Sequence, residues 1–333
     1  MAIHCDQVLQ AVRDMCPPRF ALDGDATGLQ IGTSNKKIER VLCTLDLTLQ
    51  VAEEARDLGA GLIVSHHAVV FRPLKHLRTD DFKVKIVETL LKHDVAVYVP
   101  HTAMDVVTDG MNDHLAASVG LLNTEPVKTT GQDAGVLLVS GMPDNAATLL
   151  EWLSEQGATA TEVAGRLEVV TTTNAANKIA RKLKKTTGAD PRWIALGSDG
   201  VSRGIGRIGK LAQPESLRAL ASRLKGRLGA PGVRLAAADP DQEVTKVAVL
   251  GGDGRSFVNA AMFKGAQVLI TGDIDHHSAI EAKAKGIALI DVGHWAGEKQ
   301  VSELLVAGLS ARLEGEAVEV LASKVDTNPF EFV

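Results

Sequence analysis

Three apolar runs in this chain stop at residues that can bind a metal. Leu62-Ile63-Val64-Ser65 stops at His66-His67, and Val95-Ala96-Val97-Tyr98-Val99-Pro100 at His101-Thr102-Ala103-Met104-Asp105. Ile287-Ala288-Leu289-Ile290-Asp291-Val292-Gly293 stops at His294-Trp295-Ala296-Gly297-Glu298. Short apolar runs of this kind read as strands buried on both faces, as in a parallel sheet covered by helices. Groups just past the C-terminal ends of such strands share one edge, where α/β proteins bind their ligands. Four imidazoles and two carboxylates exceed the roughly four donors that complete a zinc shell. They suit two metals sharing a bridging carboxylate and a water, so a dinuclear centre is expected.

The rest of the chain supports an α/β reading. Val41–Leu45 reads as a strand, followed by a helix through Val51, Ala55 and Leu58, and a helix over Phe82–Lys92 separates two of the ligand-bearing runs. After the helix from Cys5 to Met15, Pro17-Pro18 is a stop. Strands alternating with helical stretches of about 10–15 residues predict βαβ units and mainly parallel sheets. From about Val127 the grammar changes. Strands at Gly135–Ser140, Arg166–Thr173 and Trp193–Leu196 alternate with helices from Asn145 and Asn174, for which Asp144 and Asn174 are expected caps. Polar, glycine-bearing flanks mark residues 128–200 as a ferredoxin-like insert between core segments 1–127 and 201–333. The core resumes with an expected helix over Pro214–Leu228, strands at Lys246–Leu250 and Val268–Thr271, and a last strand at Val318–Leu321.

Composition narrows the function classes. At 333 residues, 45% hydrophobic and 23% charged, the chain is ordinary globular material with room for two domains. No apolar run reaches the roughly 18–20 residues of a membrane span. The start lacks a signal-peptide layout, and Cys5, Cys16 and Cys43 form no disulfide or Cys-x-x-Cys pattern, so a cytoplasmic location is expected. A net charge of −5 argues against nucleic acid as a partner. The basic run Lys178–Lys185 reads as a solvated helix face.

Ligands four apart on a helix point the same way, and His101/Asp105 and His294/Glu298 both use that step. An imidazole–carboxylate set without thiolate suits zinc, iron, manganese or nickel. Gly251-Gly252-Asp253-Gly254 is open to two readings, a tight turn or an anion seat at a helix start. Asp46 reads equally as an outer partner orienting a ligand or as a strand-end carboxylate. Asp273, Asp275, His276 and His277 form a second polar patch, from which His277 is expected to line the cleft and touch substrate. His4, His76, His93 and His114 have no clustered partners and are expected at the surface or as caps.

The combination of Ser65-His66-His67 with Phe71, His101-Thr102-Ala103-Met104-Asp105 with Gly110-Met111-Asn112-Asp113, Gly204-Ile205-Gly206-Arg207-Ile208-Gly209, Thr271-Gly272-Asp273 with His277, and Gly293-His294 with Glu298 resembles the NGG-interacting-factor-three-like family. Its members often carry the name GTP cyclohydrolase I type 2 homologue. The resemblance implies a two-lobed α/β core with a dinuclear metal centre between the lobes, held by His66, His67, His101, Asp105, His294 and Glu298. It also implies a toroidal homohexamer, a trimer of dimers, and an insert resembling the nitrogen-regulatory PII fold. The chain departs from the family pattern where Gly24-Asp25-Ala26-Thr27-Gly28-Leu29 keeps only the Asp of Trp-Asp-Asn, and at Ala68 and Gly297; none removes a ligand. A metal-dependent hydrolase of a nucleotide or phosphorylated small molecule is the leading expectation, with Asp105 or Glu298 bridging the metals. A metal-handling or regulatory protein is the rival, and a transcriptional scaffold the weakest reading.

Overall fold

The computed structural model describes residues 2–130, 134–141, 146–156, 158–196 and 203–333. The chain divides into two compact units, Met1–Lys128 with Gly204–Val333, and Thr129–Arg203. Each is a mixed α/β structure.

The larger unit contains two main sheets, besides the short antiparallel pair Ile3–His4 with Lys37–Ile38. In the first, strands Glu319–Ala322, Arg40–Thr44, Leu62–Ser65 and Ala96–Val99 lie side by side and parallel, and Gly28–Ile31 closes one edge antiparallel. Leu62, Ile63 and Val64 are fully buried, as are Ala96, Val97 and Val99, which is why these strands show no polar alternation. In the second sheet, Glu243–Asp253, Val268–Gly272 and Ala288–Asp291 are parallel. Its other three pairings, made by Arg207–Ser216, Leu121–Glu125 and Arg234–Ala236, are antiparallel. The sheets are therefore mixed, and the expectation of mainly parallel pairing applies to the first sheet alone. The added strands lie outside the apolar runs that signalled βαβ units; Leu121–Glu125, for example, is exposed beyond its first residue.

Pro214 does not open a helix. The strand Arg207–Ser216 runs through it, and the helix Leu217–Arg227 begins after Ser216, whose hydroxyl accepts from the Ala219 amide at 3.2 Å. Pro214 sits where the ladder to the neighbouring strand shifts register between Lys210 and Glu215, a place that asks no amide hydrogen of it.

The smaller unit runs strand Ala134–Ser140, helix Ala146–Glu155, strands Thr159–Val163 and Arg166–Thr172, helix Thr173–Thr187 and strand Arg192–Ala195. All its strand pairings are antiparallel, and Ala134–Ser140 lies between Arg166–Thr172 and Arg192–Ala195. Leu137, Val139, Leu149, Leu153, Leu167, Ile179 and Leu183 form its core. Its second helix begins at Thr173, so Asn174 lies inside it and Thr172 is its cap position. Asp144, the expected cap of the first helix, lies outside the described residues. Among the described residues, no helix is long and apolar enough to cross a membrane.

Candidate metal centre

The parallel strands of both sheets in the larger unit deliver polar groups from their C-terminal ends. Leu62–Ser65 ends at His66 and His67, and Ala96–Val99 leads through His101 into the short helix Thr102–Val106. Ala288–Asp291 leads through Gly293, with φ 82°, into the short helix His294–Glu298. The structure brings all six expected donors together. Three overlapping groups, His66/His67/His101, His67/His294/Glu298 and His66/Asp105/Glu298, each have ligand atoms within 4.8 Å of one another.

His294 and Glu298 do use the four-residue helical step, with Nε2 3.0 Å from Oε2. His101 does not. It stands one residue before its helix at φ 37° and ψ −123°, a conformation that L side chains adopt only under constraint. The constraint is Asp25. Its Oδ1 lies 2.5 Å from His101 Nδ1, and its Oδ2 accepts from the Thr102 amide at 3.1 Å and from the Thr102 hydroxyl. The carboxylate thus caps the helix from 77 residues away and sets the imidazole at the same time. Asp273 takes a left-handed φ of 56°, and its Oδ2 lies 2.8 Å from His294 Nδ1.

Asp46 settles to one of its two readings, with Oδ1 2.7 Å from His67 Nδ1. Three imidazoles therefore have Nδ1 against a carboxylate. Each is set to turn Nε2 inward, the arrangement by which outer carboxylates orient metal-binding histidines. Asp25 and Asp273 were not assigned these roles from sequence. The one signal for Asp25 was its retention within an otherwise altered N-terminal motif.

The inner atoms converge, and several of them stay unsatisfied. His67 Nε2 and His294 Nε2 face each other at 3.2 Å. Glu298 Oε2 lies 3.1 Å from the first and 3.0 Å from the second, yet it completes no hydrogen bond with either. Both ring nitrogens of buried His66, Asp105 Oδ1 and Glu298 Oε2 are without hydrogen-bond partners. Each such atom costs about 1–3 kcal/mol if left so. Burial also pushes His66 down to about 3 and raises Asp105 well above the usual carboxylate range, the latter reinforced by the charge of Glu298. His67 and His294 go the other way. Desolvation would lower both, but Asp46 and Glu298 raise His67 to about 10, and Glu298 with Asp273 raises His294 to about 9. Positive charge is wanted at this point. The donor set fits divalent ions of the zinc, iron, manganese and nickel group.

Glycines make room for it. A Cβ on Gly252, already at φ 67°, would lie 2.7 Å from Glu298 Oε1 and 3.2 Å from His294 Nε2. Gly251-Gly252 belongs to the strand Glu243–Asp253, and the chain turns only at Gly254, which precedes the 3-10 helix Arg255–Phe257. Buried Asn112 ties the two sheets' contributions together: its Nδ2 donates to the Asp105 carbonyl and its Oδ1 accepts from the Gly251 amide, both at 3.0 Å. A cavity of about 550 Å³ opens beside His67 and His294, lined in part by Asp46, Phe82, Lys83, Asp273, Trp295 and Phe330.

His277 is placed differently from the expectation. It is exposed on the first turn of the helix His276–Ala284 and does not line this cavity. Asp275 caps that helix through the Ser278 amide at 2.9 Å and pairs with Arg255 at 3.0 Å. Of the second polar patch only Asp273 reaches the imidazoles. His4 caps the first helix through the Asp6 amide, in agreement with its reading as a cap.

Comparison with known proteins decides the family. The model of the Duf34/NIF3 (NGG1p interacting factor 3) family matches residues 3–329. The chain belongs to this family. A Bacillus subtilis protein named GTP cyclohydrolase 1 type 2 homolog is 32% identical over 372 aligned positions, covering 100% of this chain and 99% of its own. A protein of the same name from Halalkalibacterium halodurans is 31% identical, with 98% of each chain covered. Among solved structures, a Bacillus cereus protein related to NIF3 superposes with a TM-score of 0.78 at 31% identity, covering 100% of this chain and 99% of its own.

Proposed function

We propose that this NIF3-family chain is a dinuclear divalent-metal protein that hydrolyses a nucleotide or another phosphorylated small molecule. The observation that carries the proposal is the inward convergence of the His67 and His294 Nε2 atoms on Glu298 Oε2, with buried His66 and Asp105 unsatisfied beside them. His67, His294 and Glu298 would hold one ion. His66 with Asp105 and Glu298 would hold the other, His101 standing next to His66 and His67, with Asp105 or Glu298 between the two. Bound there, a pair of divalent ions lowers the pKa of a water and balances negative charge developing on an attacked group.

The chain's own residues do the positioning. Asp25, Asp46 and Asp273 hold His101, His67 and His294 by their Nδ1 atoms, so Nε2 stays directed inward. Lys83 on the cavity wall offers a cation to an anionic substrate. The name borne by the Bacillus relatives makes GTP one compound to try first. The test is turnover of GTP and a panel of phosphomonoesters by metal-restored protein. Hydrolysis of one of them that is lost in Asp105→Asn is the expected result. No turnover with both ions in place would remove the hydrolase reading.

One observation favours a second reading. Among the described residues lining the cavity, the carboxylates Asp46 and Asp273 are already engaged with imidazoles, which leaves no spare carboxyl group to protonate a leaving group. A metal-handling or regulatory protein, with the insert as a PII-like sensor, needs none. Rapid exchange of bound ions without turnover would favour it. Either reading keeps the homohexamer as part of the proposal.

A further inference from the structure

One wall of the cavity comes from neither the imidazole cluster nor the sheets. After strand Glu319–Ala322 the chain is tethered to Glu54, which accepts from the Ser323 hydroxyl and from the Lys324 amide at 2.9 Å. The tether delivers Thr327, whose hydroxyl donates to Asp46 Oδ2 at 2.8 Å. The other oxygen of Asp46 is the one that holds His67. Pro329 and Phe330 follow and line the cavity with Phe82 and Trp295.

The aromatic lining stands out against the composition. The chain has only seven Phe, three Trp and one Tyr, and three of these rings line this one cavity. Phe82 and Phe330 are each 70% exposed, so neither serves the core. Exposed rings around a concave site offer faces for stacking; Trp295, half-buried against the core with Lys299 Nζ 4.6 Å from its ring centroid, has one face left to offer. Lys83 is the one Lys or Arg among the lining residues.

We propose that the Thr327–Phe330 segment is a working part of the site. Thr327 is a positioning residue that fixes His67 through Asp46. Phe330, with Phe82 and Trp295, forms a subsite for a flat aromatic ring on a ligand whose anionic end reaches Lys83 and the His67–His294 pair. The ring subsite deepens the hydrolase reading and rests on it; the role of Thr327 needs only the metal centre. With one oxygen pinned by Thr327, Asp46 has a single way to present the other. Without the hydroxyl, Asp46 is free to turn and His67 loses its fixed direction.

Two experiments test this. Thr327→Val removes the hydroxyl at nearly constant shape, and Thr327→Ser restores it. In titrations of metal-loaded protein with chelator, read by metal content, T327V should hold its ions about tenfold less tightly, the lower end for partners that orient ligands. T327S should match the parent. Equal retention in all three, or equal loss in both variants, would overturn the positioning role. Calorimetric titration of metal-loaded protein then compares adenosine monophosphate with ribose 5-phosphate. The ring-bearing probe should bind about tenfold more tightly, as stacking of one base allows. Phe330→Ala should abolish most of that difference and leave ribose 5-phosphate unchanged. Equal binding of the two probes, or binding of neither with both ions present, would overturn the ring subsite and leave the metal centre standing. Absence of bound metal would instead defeat the hydrolase reading itself.

Discussion

His67 and His294 each place Nδ1 against a carboxylate, so neutral rings would face each other with Nε2 lone pairs at 3.2 Å. Something positive must lie between them. In the metal-free protein protons fill that role, held by Asp46 and Glu298 on His67 and by Glu298 and Asp273 on His294, which raise the two histidines to about 10 and about 9 against desolvation. The sign of the linkage follows. Stability from a raised histidine is fully present below the unfolded value of 6.5 and is lost as pH rises through the folded values. His66, lowered to about 3, costs stability as pH falls below 6.5. Chelated protein should therefore melt at lower temperature above about pH 9, whereas metal-loaded protein should not, because ions replace the protons. Coincident melting curves of the two forms across that range would contradict this. Gly252→Ala is the matching steric prediction. The left-handed backbone alone costs about 1–2 kcal/mol, and a Cβ 2.7 Å from Glu298 Oε1 should also displace that carboxylate. Denaturant melts and metal content of the variant measure both effects. The six inner residues were legible in sequence because each follows an apolar run. Asp25 was not, since its contact with His101 spans 76 positions and leaves no local pattern.

The elements that carry the ligands are short, and neighbours hold them. Thr102–Val106 and His294–Glu298 have five residues each, too few to stand alone as helices. Asn112 joins them indirectly, bonding the Asp105 carbonyl on one side and the Gly251 amide beneath Glu298 on the other. Asn112→Ala would leave two backbone groups unpaired in a site where Asn112 is 1% exposed. A loss of about 1–3 kcal/mol on chemical denaturation is expected, together with weaker metal retention; an unchanged midpoint would show that the bridge contributes nothing. Sequence patterning found the buried strands Leu62–Ser65, Ala96–Val99 and Ala288–Asp291 because burial on both faces leaves an unbroken apolar run. It misread Pro214 because tolerance at a helix start and at a register shift look the same locally.

At the scale of the whole molecule, two sheets of one compact unit contribute to a single cluster, and neither sheet carries a complete set. His66, His67, His101 and Asp105 follow strands of the first sheet, and His294 and Glu298 follow a strand of the second. Parallel order put the C-terminal strand ends together within each sheet, and this much was readable from alternating strands and helices. The antiparallel strands of the second sheet were not, because partial exposure dilutes their apolar signal. The proposed homohexamer predicts a light-scattering mass near six times 35.2 kDa, and a single chain mass would remove it. The central claim is the metal pair, and metal content per chain by inductively coupled plasma mass spectrometry tests it most directly. Protein purified without chelator should carry about two ions per chain, falling toward one or none when Glu298 is replaced by Gln. One ion or none in the parent protein, even after reconstitution, would contradict the account.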